Sequence, residues 1–153
     1  MKDKITIAID AMGGENAPTK TIFGLDIFFK KNKKKDAFFI LYGNKELIEK
    51  ELNKYSIPLT QIKIINSISV VSDEETPLKA VKNSKNSSMW NSINSQIEDG
   101  ADITLSAGNT GVLLVISRML LKTMEEVSKP ALAGLWPSKK GMSVVLDLGA
   151  NVE

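Results

Sequence analysis

Three short glycine-bearing segments hold the residues best suited to chemistry: Asp10-Ala-Met-Gly-Gly-Glu-Asn16, Ser106-Ala-Gly-Asn-Thr-Gly111 and Asp147-Leu-Gly-Ala-Asn151. Each sets glycines (Gly13 and Gly14, Gly108 and Gly111, Gly149) beside amide or hydroxyl side chains (Asn16; Ser106, Asn109 and Thr110; Asn151). Glycine lets the backbone approach a ligand and turn its N–H groups inward. A helix that starts after such a loop adds the positive end of its dipole, which makes the pair a cradle for phosphate or another oxyanion. Each segment also has a plainer reading. Gly13-Gly14 can be a tight turn, Ser106, Asn109 and Thr110 ordinary helix N-caps, and Asp147 to Asn151 a strand-end turn. None is a Walker loop or a GxGxxG fingerprint, so nucleotide and nicotinamide readings are weak. Asp10 and Asp147 each close a strand-like run. They can orient the loops, cap turns or hold a hard cation through oxygen. No denser acidic cluster accompanies them, so neither a metal site nor a cofactor is assigned.

The 153-residue chain has no cysteine and no histidine. Within it, that removes a cysteine nucleophile, a Ser-His-Asp triad, a histidine base and the usual zinc sites. Chemistry falls to carboxylates, lysines, hydroxyls, amides and backbone dipoles. Net charge is +2, with Arg118 the single arginine, so the chain lacks the basic footprint of a nucleic-acid binder. The one dense cationic cluster is Lys30, Lys31, Lys33, Lys34 and Lys35. It reads as a solvated helix end, or as a landing patch for an acidic partner or anionic membrane. Lys79, Lys82 and Lys85 read as a solvated stripe, or as an anion-attracting rim. Ser87-Ser-Met-Trp90 falls inside a helical pattern, where hydroxyls bond back to carbonyls, and on pattern alone is not a site. No apolar run approaches the roughly 20 residues that cross a bilayer, and the Met1 to Ile9 start, with no long apolar stretch after its lysines, is not expected to be a secretory signal. The expected location is the cytoplasm.

These loops need elements to position them. Lys4 to Asp10 alternates as a strand, and Thr19 to Lys31 reads as a helix with Pro18 at its start. Ala37 to Tyr42 is a buried strand, Lys45 to Tyr55 an amphipathic helix, and Ile62 to Ile65 a third strand. Ser69 to Val71 is a possible short strand. Pro77 to Asp99 is a polar helix, weak around Asn83 to Ser88. Ala101 to Leu105 is a strand, and Val112 to Met124 an apolar helix expected to be buried on most sides. A segment between Pro130 and Pro137 is irregular or a short strand. Met142 to Leu148 is a last, central-looking strand. Alternating strands and helices predict one α/β domain over residues 1–153, with a mostly parallel sheet covered on both faces. In such a sheet, loops at the strands' carboxyl ends meet at one edge, where ligands bind. A final strand with no helix after it reads as the N-terminal portion of a larger fold, its apolar face left for a partner layer.

Ile7 to Pro18, Ser87-Ser-Met89, Ser106 to Gly111, Lys129-Pro-Ala-Leu-Ala133 and Val145 to Val152 together resemble, in order, the motif series of the phosphate acyltransferase (PlsX) family, over roughly the first half of a full-length member. The resemblance implies transfer of a fatty acyl group from acyl carrier protein to inorganic phosphate, giving acyl phosphate for phospholipid synthesis. It implies a three-layer α/β/α fold like that of the isocitrate and isopropylmalate dehydrogenases and the phosphotransacetylases. It also implies a homodimer and a cytoplasmic protein associating peripherally with the membrane. Phosphate is then the nucleophile, and Gly13, Gly14, Asn109, Thr110 and Gly111 are the expected phosphate or oxyanion contacts. Asn16, Ser106, Gly108, Gly149 and Asn151 join them as expected phosphate-binding residues, and Asp10, Asn109 and Asp147 are the expected catalytic group, the two aspartates orienting the loops. Glu15 stands where the family usually has aspartate, and Asn16 where many members have histidine. Trp136-Pro-Ser-Lys-Lys140 is an uncommon version of its segment. A phosphotransacetylase-like enzyme using coenzyme A thioesters and an inactive fragment are the alternative readings.

Overall fold

The computed structural model describes residues 4–32, 36–71, 81–146 and 148. β1 (Ile5–Asp10) is the hub of a four-stranded sheet with β2 (Ala37–Gly43), β3 (Ile62–Asn66) and β4 (Ile103–Leu105). The order is β3-β2-β1-β4, and every pairing is parallel. From β1 the chain steps outward through β2 to β3, then returns to the far side of β1 to lay down β4. The order therefore reverses between β1 and β4, the kind of switch point at which open α/β sheets bind ligands.

The side-chain period of two divides each strand between two faces. Ile9, Phe39 and Leu41 pack against Ile22 and Leu25 of α1 (Thr19–Lys31) and Ile48 and Leu52 of α2 (Lys45–Leu52). Ala8, Ile40 and Tyr42 share the opposite face, covered by α3 (Ser88–Glu98). The carbonyl of Ser92 on α3 accepts from Thr104 Oγ1 at 2.9 Å, and Tyr42 OH donates to Asp99 Oδ2 at 2.8 Å. α4 (Thr110–Leu121) then packs on α3 through Met89, Ile93, Val112 and Ile116. Helices lie on both faces of a parallel sheet, the α/β/α layering that the alternating pattern predicts.

Two expectations change. Of the expected strand Met142 to Leu148, residues 142–146 do not enter the parallel sheet. β6 (Gly141–Leu146) pairs antiparallel with β5 (Ala133–Ser138) in a separate two-stranded sheet. A two-residue turn at Lys139-Lys140 joins them, and Ser138 Oγ donates to the Gly141 carbonyl at 2.9 Å. An adjacent partner costs far less loop-closure entropy than a distant one, and an antiparallel pair needs no crossover. Leu135, Met142, Val144 and Leu146 stay 60–69% exposed on this hairpin. α4 is also shorter and less buried than expected, ending at Leu121. Among its residues Val112 and Ile116 are buried, while Met119 and Leu121 are exposed. Among the described residues, α3 with Val71 and Val81 covers one stripe of it, not its circumference.

The weakness expected around Asn83 to Ser88 is a break at Asn86, whose φ is +67°. Ser69 to Val71 reduces to one bridge between Ser69 and Ser87. Lys30 and Lys31 occupy the last turn of α1, where Lys30 reaches the buried Asp26 at 2.6 Å. Lys33 to Lys35 and Lys79 lie outside the described residues.

Candidate functional site

β1 and β4 run in register, with Ile9 opposite Leu105, so the loops that follow them leave the sheet side by side. Asp10, 2% exposed at the end of β1, ties them together. Its Oδ2 accepts from Ser106 Oγ at 2.8 Å, and its Oδ1 accepts from the Met12 N–H at 3.3 Å. Ser106 Oγ in turn accepts from the Gly108 N–H at 3.1 Å. One carboxylate thus fixes the first turn of its own loop and, through one hydroxyl, the first turn of the other.

The glycines make this closeness possible. A Cβ at Gly13 would lie 2.5 Å from Asp10 Oδ2 and 2.9 Å from both Gly108 N and Ser106 Oγ. A Cβ at Gly14, where φ is +85°, would lie 2.7 Å from the Ala107 carbonyl oxygen. At Gly108 it would meet Met89 Cε at 2.8 Å and Gly13 Cα at 3.5 Å. At Gly13 and Gly14 no L side chain fits without moving backbone or the buried carboxylate, whereas at Gly108 the Met89 side chain would have to swing aside. Gly13, Gly14, Ser106 and Gly108 therefore form one contiguous surface, although more than ninety residues separate the two loops.

Asn109 stands at the N-cap of α4, where its Oδ1 accepts from the Val112 N–H at 3.1 Å. The plain capping role is real, and it also aims the start of α4 from the Ser106–Gly108 turn. Thr110 is exposed at the first helical position and Gly111 follows it. Asn16 is exposed at the far end of its loop with φ +57°, its carbonyl accepting from the Lys20 N–H. Asp147, Gly149 and Asn151 lie outside the described residues. Among the described residues, no group of three or more acidic side chains could hold a metal ion.

Ser88 is the residue that the pattern hides. It reads as helix interior, yet α3 begins there: Ser87 is the N-cap, its Oγ accepting from the Trp90 N–H at 3.1 Å. Ser88 is wholly buried, and its hydroxyl faces Asp10 closely enough to favour the ionised carboxylate without completing a hydrogen bond. A Ser-Ser pair after the positive-φ Asn86 is the signal that would find it. Burial pushes the Asp10 carboxyl above its ordinary value. The Ser88 and Ser106 hydroxyls and the Met12 and Gly13 amides draw it part of the way back.

Residues 5–153 match the model of a family described as "Fatty acid synthesis protein". The chain is 48% identical over 153 residues to a "Phosphate acyltransferase" of Pelagibacter ubique (strain HTCC1062), covering 100% of this chain and 45% of that protein. It is 39% identical over 153 residues to a protein of the same name from Rhodopseudomonas palustris (strain TIE-1), covering 99% and 43%. A third, from Parvibaculum lavamentivorans (strain DS-1 / DSM 13023 / NCIMB 13966), is 40% identical over 149 residues, covering 97% and 41%. The chain spans less than half the length of these relatives.

Proposed function

The chain belongs to this family of fatty acid synthesis proteins, and from that premise we propose that it builds the phosphate- and oxyanion-binding wall of a phosphate acyltransferase. The reaction proposed is transfer of a fatty acyl group from acyl carrier protein to inorganic phosphate. The observation that carries the reading is the contact of the Gly13 and Gly108 loops, locked by Asp10 and Ser106 at the switch point between β1 and β4.

A phosphate oxygen attacks the thioester carbonyl, and the carbonyl oxygen takes up the negative charge. Collapse of that intermediate breaks the C–S bond and expels the carrier's thiolate, which takes a proton. The products are acyl phosphate and the free carrier thiol. Nothing in this sequence needs a protein nucleophile, which suits a chain without histidine or cysteine. The protein's task is to hold phosphate against the carbonyl and to offer preorganised donors to the oxyanion. Backbone N–H groups of Gly14, Thr110 and Gly111, with the Asn109 side chain, are the proposed donors; the Gly13 amide turns back to Asp10 instead. Asp10 positions both loops.

The proposed setting is cytoplasmic, with acyl carrier protein and inorganic phosphate as partners, a homodimer, and peripheral contact with the membrane. Among the described residues, no helix is long and apolar enough to cross one. The test is phosphate-dependent release of acyl carrier protein from a long-chain acyl thioester. It is run in a full-length family member carrying Asn109→Ala and, separately, Asn109→Ser at the matching position. Serine keeps the helix cap but not the amide, so both variants should lose at least ~10-fold in turnover while Asn109→Ser retains stability. Turnover unchanged in Asn109→Ser would remove Asn109 from the chemistry.

A further inference from the structure

We infer that the groove between α1 and β4 receives the acyl chain of the substrate, with the carbonyl end at the Asp10–Ser106 loops; this rests on the acyl-transfer reading above. The groove encloses about 490 Å³, within the range usual for ligand sites. Asp10, Ser106 and Ala107 line it together with Ile7, Ile9, Leu25, Phe28, Phe39 and Leu105. The same residues that lock the cradle thus form one wall of an otherwise apolar channel.

The topology explains the opening. Ile7 and Ile9 on β1 share a sheet face with Ile103 and Leu105 on β4, by the register of the two strands. α1 covers that face over β2 and β1 and stops short of β4, leaving Ile103 and Leu105 46% and 49% exposed. The helix carries Gly24 on this side, where a Cβ would meet nothing within 4 Å. Glycine inside a helix costs about 1 kcal/mol relative to alanine, and no close backbone approach requires it here. Its effect is to leave the channel wide along the middle of α1. Local helix preference is set aside at Gly24, where a side chain would narrow the channel. Lys20, paired with the exposed Glu15 at 3.5 Å, supplies a cation among the lining residues.

An apolar tail ending in a phosphate-bearing carbonyl matches this order of surfaces. Titrating this chain with dodecyl phosphate, kept below its micelle concentration, and with methyl phosphate separates tail from head. Each buried methylene is worth about fourfold in affinity, so the dodecyl compound should bind at least ~100-fold tighter. Gly24→Leu, which fills open space and favours helix, should cut that advantage to below ~10-fold and leave methyl phosphate unaffected. In the unsubstituted chain, nuclear Overhauser contacts should run from the alkyl chain to the Phe28 ring and the Leu105 methyls. An advantage that survives Gly24→Leu, contacts to other residues, or no advantage of the longer compound while methyl phosphate binds would each overturn the inference. Failure of methyl phosphate to bind, with a Gly24-sensitive tail contact retained, would instead sink the phosphate cradle and leave the groove standing.

Discussion

Gly13→Ala is the sharpest test of how the two loops meet. The new methyl would sit 2.5 Å from Asp10 Oδ2 and 2.9 Å from both Gly108 N and Ser106 Oγ. Restoring ordinary contact with the carboxylate requires a shift of about 0.9 Å, since side-chain carbons pack no closer than about 3.4 Å in general. Such a shift away from the methyl would stretch the 2.8 Å bond from Ser106 beyond hydrogen-bond range. The structure then loses a hydrogen bond to a charged group, about 1.5–3 kcal/mol, and carries overpacking of about 1–3 kcal/mol. Restricting the unfolded chain offsets about 0.4–1 kcal/mol. The net expectation is about 1.5–5.5 kcal/mol of destabilisation, read as a lowered urea midpoint with unchanged slope. Gly24→Ala is the control: its methyl meets nothing within 4 Å, and it should stabilise by about 0.5–1 kcal/mol. Trp90 on α3 provides a fluorescence probe for both. If Gly13→Ala unfolds within about 0.5 kcal/mol of the parent chain, the loops do not touch as described.

Ser106→Ala strips Asp10 Oδ2 of its hydroxyl donor and Gly108 N of its acceptor; it should cost about 2–4 kcal/mol in urea unfolding and weaken inorganic phosphate binding measured by calorimetry. Asn109→Ala removes the cap on Val112 N and should cost about 1 kcal/mol, whereas Asn109→Ser should recover most of it in the same melt. Asp10 gives a pH signature. Below its unfolded value of 3.8 both states hold the proton; above it the folded chain still holds a proton that the unfolded chain has released. Unfolding free energy from this group therefore falls as pH rises from 3.8 to the raised folded value, and is level beyond. Subtracting the urea midpoints of Asp10→Asn from those of the parent chain across that window should expose the decline; a rise would contradict a raised pKa.

The sequence carries most of the sheet but only part of the site. Thr19 to Lys31 is legible to the residue because one amphipathic stripe and a proline at its start are local signals. The placement of Met142 to Leu146 is not legible, because an apolar β-branched run reads alike as a central parallel strand and as a hairpin arm. What separates them is the identity of the partner strand, which no periodicity encodes. The apolar circumference of α4 similarly says how much could be buried, not how much neighbouring structure is there to bury it; Val112 and Ile116 find α3, and Met119 does not. In the site, glycine and amide content mark the loops, and the strand order brings two of them together. Periodicity hides the role of Ser88, although the Ser87-Ser-Met89 motif marks its place, because that role is tertiary: a serine at a helix start becomes notable only when β1 delivers a buried carboxylate in front of it.

The surroundings of that carboxylate favour one role for Asp10 in the proposed cradle. A buried anion beside bound phosphate would repel it, and burial alone already raises the carboxyl's pKa. Both Asp10 oxygens are engaged, one by Ser106 and one by the Met12 amide, and the residue is 2% exposed. A general base must reach the proton it takes, and the nucleophile in this reaction, phosphate, is already anionic at neutral pH. Asp10 is therefore better placed as a positioning residue. Its charge is spent on two short-range donors that draw the Gly13 and Gly108 turns into contact. In the proposed reaction the catalytic work falls to amide dipoles whose directions those turns fix, and these carry no pKa of their own in the working range. A chain without histidine can support phosphate attack on a thioester in this way, because neither partner in the bond being made needs a proton removed by the protein.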